Sequence, residues 1–133
     1  MSHTITNPDT LFRSIDLGYS QVVSVPAASE LVFLAGQFAT DPDGKVTSAD
    51  FAEQVARSFA NLEAALAAVG LNFSHVIRLG TYITDRDPAK IETLVRICAQ
   101  IWGDQPPAQT LTGVAFFAGP DQLFEVDAIA VRP

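Results

Sequence analysis

Two stretches of apolar residues at helical spacing, set among shorter apolar runs, give this chain its outline. From about Asp50 to Val69, Phe51, Val55, Phe59, Leu62, Leu66 and Val69 fall on one stripe of a helix. Asp50 is a suitable N-cap with Glu53 three residues on, a capping-box pattern, and Gly70 supplies the stop. A second helix is predicted from Asp87-Pro88, a cap followed by Pro at the first helical position, to about Trp102, ahead of Gly103 and Pro106-Pro107. The other runs read as strands: Gln21 to Val25, Leu31 to Phe38, Val76 to Ile83, Thr110 to Val114 and Leu123 to Val131. Turns are expected at Pro26 to Glu30, at Asp41-Pro42-Asp43-Gly44 and at Gly119-Pro120-Asp121, where Pro presets φ and Gly tolerates positive φ. Residues 1–18 read as a polar lead-in.

The predicted order is β-β-α-β-α-β-β, an α/β (α+β) fold occupying residues 1–133 as a single domain. Right-handed strand–helix–strand crossovers put both helices on one face of a mixed sheet. In the last strand, Phe124, Val126, Ala128 and Ala130 form a face suited to lie beneath helices. Leu123, Glu125, Asp127, Ile129 and Val131 form the other face, still largely apolar although no third helix exists to cover it. A partner subunit is the simplest cover, with the lead-in supplying part of it, so self-association is expected.

Composition narrows the function classes. The chain has 133 residues, 48% apolar, with nine Phe and one Trp, enough for a core without disulfides. Its one cysteine, Cys98, lies among Ile91, Leu94, Val95 and Ile101 and reads as a buried, inert thiol. The absence of cysteine pairs fits a reducing compartment, and no basic N-terminal region precedes a hydrophobic run, so a cytoplasmic location is expected. No stretch approaches the roughly 20 apolar residues of a membrane span. With a formal charge of −7, two lysines and six scattered arginines, the chain would repel nucleic acid.

The common catalytic patterns are missing. His3 and His75 lie near no cysteine or second histidine at ligand spacing, so no metal site is expected. No phosphate-binding glycine loop and no nucleophile motif occurs, and no cofactor is implied. What remains is Glu125 and Asp127, two acids one pleat apart on the face assigned to a partner. A half-buried acid there suits general acid/base work or water positioning, while spacing alone favours solvent contact or structural hydrogen bonds. Three further segments stand out: Gly18-Tyr19-Ser20-Gln21, with a phenol for a cleft edge; Ala35-Gly36-Gln37, where Gly permits close backbone approach; and Pro106-Pro107-Ala108-Gln109-Thr110, which introduces its strand rigidly.

Together these segments resemble the Rid family (reactive intermediate deaminases, or YjgF-like proteins), from Gly18 to Val131. The similarity rests on Tyr19-Ser20-Gln21, Phe33-Leu34-Ala35-Gly36-Gln37, Asp41-Pro42-Asp43-Gly44, Gln54 through Asn61-Leu62, and Thr81-Tyr82-Ile83-Thr84-Asp85. It rests further on Pro106-Pro107-Ala108 and above all on Phe124-Glu125-Val126-Asp127-Ala128-Ile129-Ala130-Val131. The resemblance implies a chorismate-mutase-like fold (bacillus type), a homotrimer with a central β-barrel, and small-molecule clefts between subunits. It also implies cofactor-independent hydrolysis of imines or enamines, such as 2-aminoacrylate and 2-iminopropionate, to ketoacids and ammonia. In that scheme Glu125 is the catalytic acid that orients or activates water, and Tyr19 lines the cleft. Gly36, Gln109, Thr110 and Leu111 complete the substrate pocket.

One departure bears on the substrate. Family members that take amino-acid-derived imines carry Arg directly after the Pro-Ala of the fourth strand, to grip the substrate carboxylate; this chain has Gln109 there, and Ala35 where the family has Ser. A neutral amide cannot reproduce the two-pronged, charge-assisted contact of a guanidinium. The chain is therefore similar to the subgroup lacking that arginine. Its ligand is then neutral, or a carboxylate that meets Arg78 or Arg13. The expected function is a Rid-type hydrolase, with a non-catalytic small-molecule-binding trimer as the alternative. Ribonuclease action, attached to parts of the family, is opposed by the acidic charge.

Overall fold

The computed structural model describes residues 3–133; Met1 and Ser2 of the predicted lead-in lie outside them. Its elements in chain order are β1 (Thr4–Thr6), β2 (Val22–Ser24), β3 (Glu30–Gln37), α1 (Phe51–Ala68), β4 (Val76–Ile83), α2 (Pro88–Trp102), β5 (Ala108–Gly113) and β6 (Phe124–Arg132). The predicted order is recovered with one addition: the lead-in contains β1, which pairs antiparallel with β2 as a separate two-stranded sheet. It also contains a 3-10 turn, Ser14–Leu17.

β3, β6, β4 and β5 form the main sheet in that order. β6 runs antiparallel to both neighbours, and β5 runs parallel to β4. α1 therefore crosses over between the parallel pair β3 and β4, and α2 between β4 and β5, as parallel strands require.

Local chemistry explains where each helix starts and stops. The Asp50 carboxylate caps α1 by accepting from Glu53 N at 3.0 Å. The expected capping box is not closed, because the Glu53 carboxylate instead accepts from the Ser48 hydroxyl, whose oxygen receives Asp50 N. α1 ends in a Schellman motif: Gly70, at φ +74°, donates to Ala67 O, and Leu71 N donates to Leu66 O. Asp87 caps α2 through Ala89 N, with Pro88 opening the helix.

One core fills the space between both helices and one sheet face. Val55, Phe59, Leu62 and Leu66 of α1 and Leu94 and Cys98 of α2 meet Phe124, Val126, Ala128 and Ala130 of β6. The small alanines let the helices approach closely, as the alternation in β6 predicts. On the other face Ile129 is half-buried, and Phe33, which pairs with it, is 71% exposed. Coverage of that face is not uniform, however. Val131 is fully buried within the chain itself, while Leu31, which pairs with it, is exposed.

Candidate functional site

Register divides the predicted site residues between the two faces of the sheet. Gln109 pairs with Leu79 and Leu111 with Thr81, which places Gln109 and Leu111 on the helix side. Glu125 pairs with Tyr82 and Asp127 with Gly80, on the helix-free side. Thr110, paired with Gly80, projects from β5 to that same helix-free side, where its hydroxyl accepts from Arg78 Nη2 at 3.0 Å.

On the helix side, a cavity of about 360 Å³ lies between α2 and the edge strand β5, lined by Leu17, Tyr19, Ile91, Leu94, Val95, Cys98, Thr81 and residues 109–111. Long-range contacts build it. Gly18, at φ +81°, passes so close to α2 that a Cβ there would lie 2.9 Å from Cys98 Cβ. The next two residues then run beside the diproline segment: Ser20 N donates to Pro107 O at 2.9 Å, and the Ser20 hydroxyl donates to Pro106 O at 2.5 Å. Tyr19 is thereby held in the wall of the same cavity as Gln109. The Thr81 hydroxyl donates to Gln109 Oε1 at 3.0 Å, and Gln109 Nε2 lies 3.9 Å from Cys98 Sγ. Burial pushes the Cys98 thiol up to about 11, partly offset by the Gln109 contact. The sequence reading of Cys98 as buried holds, but it missed that Cys98 lines a cavity.

Across the sheet, Glu125 rests against Gly36, where a Cβ would sit 2.7 Å from the carboxylate carbon. Gln122 Nε2 donates to Glu125 Oε1 at 3.3 Å, while Oε2 accepts no hydrogen bond among the described residues. Beside it, the Tyr82 hydroxyl donates to Asp127 Oδ2 at 3.0 Å. Desolvation, then that bond to Asp127, raises the Tyr82 phenol above its ordinary range. Gly80 leaves room for the pair, since a Cβ would lie 2.8 Å from the Tyr82 hydroxyl.

Gln54 fixes the approach to this acid. Fully buried, it donates from Nε2 to Ser48 O and Asp121 O, each at 2.8 Å, and accepts from Leu123 N at 2.9 Å. The two arginines considered for a carboxylate lie elsewhere: Arg78 on the helix-free face with Thr110, and Arg13 on the surface, paired with Asp16 at 3.0 Å. Tyr82, Thr81 and Gln54 were not singled out as site residues, although alternation along β4 places Arg78, Gly80 and Tyr82 together on one face.

A mixed four-stranded sheet with two helices on one face, a cavity at its edge strand and a carboxylate on its open face defines a recognisable architecture. Residues 14–132 match the family described as Endoribonuclease L-PSP, and the chain belongs to this family of Rid, or YjgF-like, proteins. It is 36% identical over 115 residues to Protein DfrA of Myxococcus xanthus, covering 85% of this chain and 84% of that protein. The Rid protein YyfB of Yersinia pestis superposes with a TM-score of 0.91 at 30% identity, covering 99% of this chain and all of that one. TdcF of E. coli, solved with bound serine, superposes at TM-score 0.67 and 30% identity, covering 82% and 85%.

Proposed function

We propose that the chain is a hydrolase of imines, enamines or related reactive small molecules, acting in clefts between the subunits of a homotrimer. The observation that carries this reading is the Glu125 carboxylate, half-buried against Gly36, with one oxygen held by Gln122 and the other accepting from no donor among the described residues. Such a group can accept a proton from water while staying in place. Water oxygen bonds to the imine carbon as its proton passes to Glu125, and the C=N pair moves to nitrogen, which takes that proton back. The resulting carbinolamine collapses: its hydroxyl proton is relayed to nitrogen, the C–N bond breaks, ammonia leaves and a carbonyl remains. Imines hydrolyse readily, so orientation and one base suffice without a metal or cofactor.

Within one chain, Glu125 and the cavity holding Tyr19 and Gln109 face opposite ways. A second copy docked along the free edge of β5 would bring one subunit's carboxylate to the next subunit's cavity. Exposed Leu111 on that edge and exposed Leu31 and Phe33 on the open face supply apolar surface for such docking.

The test is hydrolysis of imines generated in place, both from amino acids and from uncharged amines, against an uncatalysed control. Acceleration lost in Glu125→Ala, with assembly intact, supports the reading; unaltered rates in that variant, or no acceleration of any imine, overturn it. Binding without turnover is the second reading, favoured by a cavity lining with no charged side chain among the described residues. Ribonuclease action, which the family's description names, is opposed by the net charge of −7.

A further inference from the structure

The cavity beside β5 contains its own statement about ligand charge. Its lining residues are aliphatic (Leu17, Ile91, Leu94, Val95, Leu111) or uncharged (Tyr19, Thr81, Cys98, Gln109, Thr110), with no Arg, Lys, His, Asp or Glu among them. An anion entering such a space would lose hydration with no cation to replace it. The nearby arginine offers no rescue from within, because Arg78 is held by Thr110 on the opposite face of the sheet.

The orientation of Gln109 adds a second constraint. Its Oε1 is occupied by the Thr81 hydroxyl, so the amide is fixed with Nε2 as the donor, and the thiol 3.9 Å away is a weak acceptor. The cavity thus offers Gln109 Nε2 as an oriented N–H donor, beside the Tyr19 hydroxyl, in a wall half made of aliphatic side chains. That is the complement of a neutral carbonyl, or of an uncharged imine nitrogen, carried on a short aliphatic body.

We infer that this cavity selects small uncharged molecules with one hydrogen-bond acceptor and rejects carboxylates, with Gln109 as the specificity-determining residue. This inference rests on the hydrolase reading only in supplying its substrate class: an uncharged aliphatic imine or enamine in place of an amino-acid-derived one. Two ligands of one shape separate the charges, isovaleramide and isovalerate.

The experiment measures binding of each to the intact protein at pH 7 by isothermal titration calorimetry, with no turnover needed. Isovaleramide should bind about tenfold or more tightly than isovalerate, the loss expected for burying an unpaired charge. Gln109→Leu, which removes the donor and keeps the apolar wall, should weaken isovaleramide about tenfold without gaining isovalerate. Gln109→Arg should reverse the preference. Isovalerate bound to the wild type as tightly as isovaleramide, or neither ligand bound, overturns the inference. Selective amide binding in a protein that accelerates no imine hydrolysis would leave the inference standing and sink the hydrolase reading alone.

Discussion

Gly36 and Glu125 meet across β3 and β6 so closely that a single methyl group at Gly36 would stand 2.7 Å from the Glu125 carboxylate carbon. The glycine is there for space, since its backbone is not in the left-handed region. Gly36→Ala should therefore push the carboxylate away from Gln122 without breaking the sheet. In a hydrolase that depends on Glu125, displacement by about 1 Å lowers turnover about a hundredfold. Hydrolysis rates measured beside a melting curve check this: unchanged turnover with an unchanged melt would detach the Glu125 position from activity.

Ser20 links the two halves of the cavity. Its buried hydroxyl donates to Pro106 O, and its backbone N–H donates to Pro107 O, so Tyr19 and Gln109 are set by one joint. Ser20→Ala leaves a buried carbonyl without its donor and should cost about 1–2 kcal/mol. Urea unfolding gives the stability change, and the isovaleramide titration gives the effect on the cavity. A weaker ligand accompanied by full stability would mean that Ser20 acts on Tyr19 alone.

Gln54 satisfies three backbone groups from two loops, and a substitution of similar volume shows what that costs. Gln54→Leu would orphan the Ser48 and Asp121 carbonyls and the Leu123 N–H, two residues before Glu125. Destabilisation of about 3 kcal/mol is expected, on the scale of several unpaired buried groups. Gln54→Glu should recover the bond from Leu123 N and not the other two, giving an intermediate unfolding midpoint. A midpoint for Gln54→Leu equal to the wild type would refute this account of the loop.

Much of this fold was legible because its signals are local. The caps at Asp50 and Asp87, the stop at Gly70 and the alternation in β6 all act within a few residues, and each appears where the sequence places it. β1 escaped notice because Thr4–Thr6 is too short to show a period and is defined by its pairing with β2, 16 or more residues away. The site was legible in parts. Tyr19, Gln109, Thr110 and Leu111, expected in one pocket, line one cavity, whereas the sequence indicates only a close approach at Gly36 and not that Glu125 makes it. That these two groups face opposite sides of the sheet follows from pairing register, which depends on strands far apart in sequence. Cys98 shows the same limit, since helical spacing indicates burial but not the empty space beside it.

The Cys98 thiol supplies a prediction with a definite sign. Its ordinary value of 9.0 is raised by burial to about 11 in the folded chain. At pH 8 its thiolate fraction falls to about a hundredth of that of an exposed thiol, so alkylation by iodoacetamide should be slower by about that factor. Stability follows by linkage. The folded state binds this proton more tightly than the unfolded state, so the group's contribution is fully present below pH 9. It is lost as pH rises from about 9 through about 11. Between pH 8 and pH 10.5 the wild type should therefore lose more of its urea midpoint than Cys98→Ala, which has no thiol to ionise. Equal losses in the two proteins, or alkylation as fast as for a free thiol, would show that the cavity admits solvent to Cys98 and that its wall is wetter than the packing of Gly18 against α2 implies.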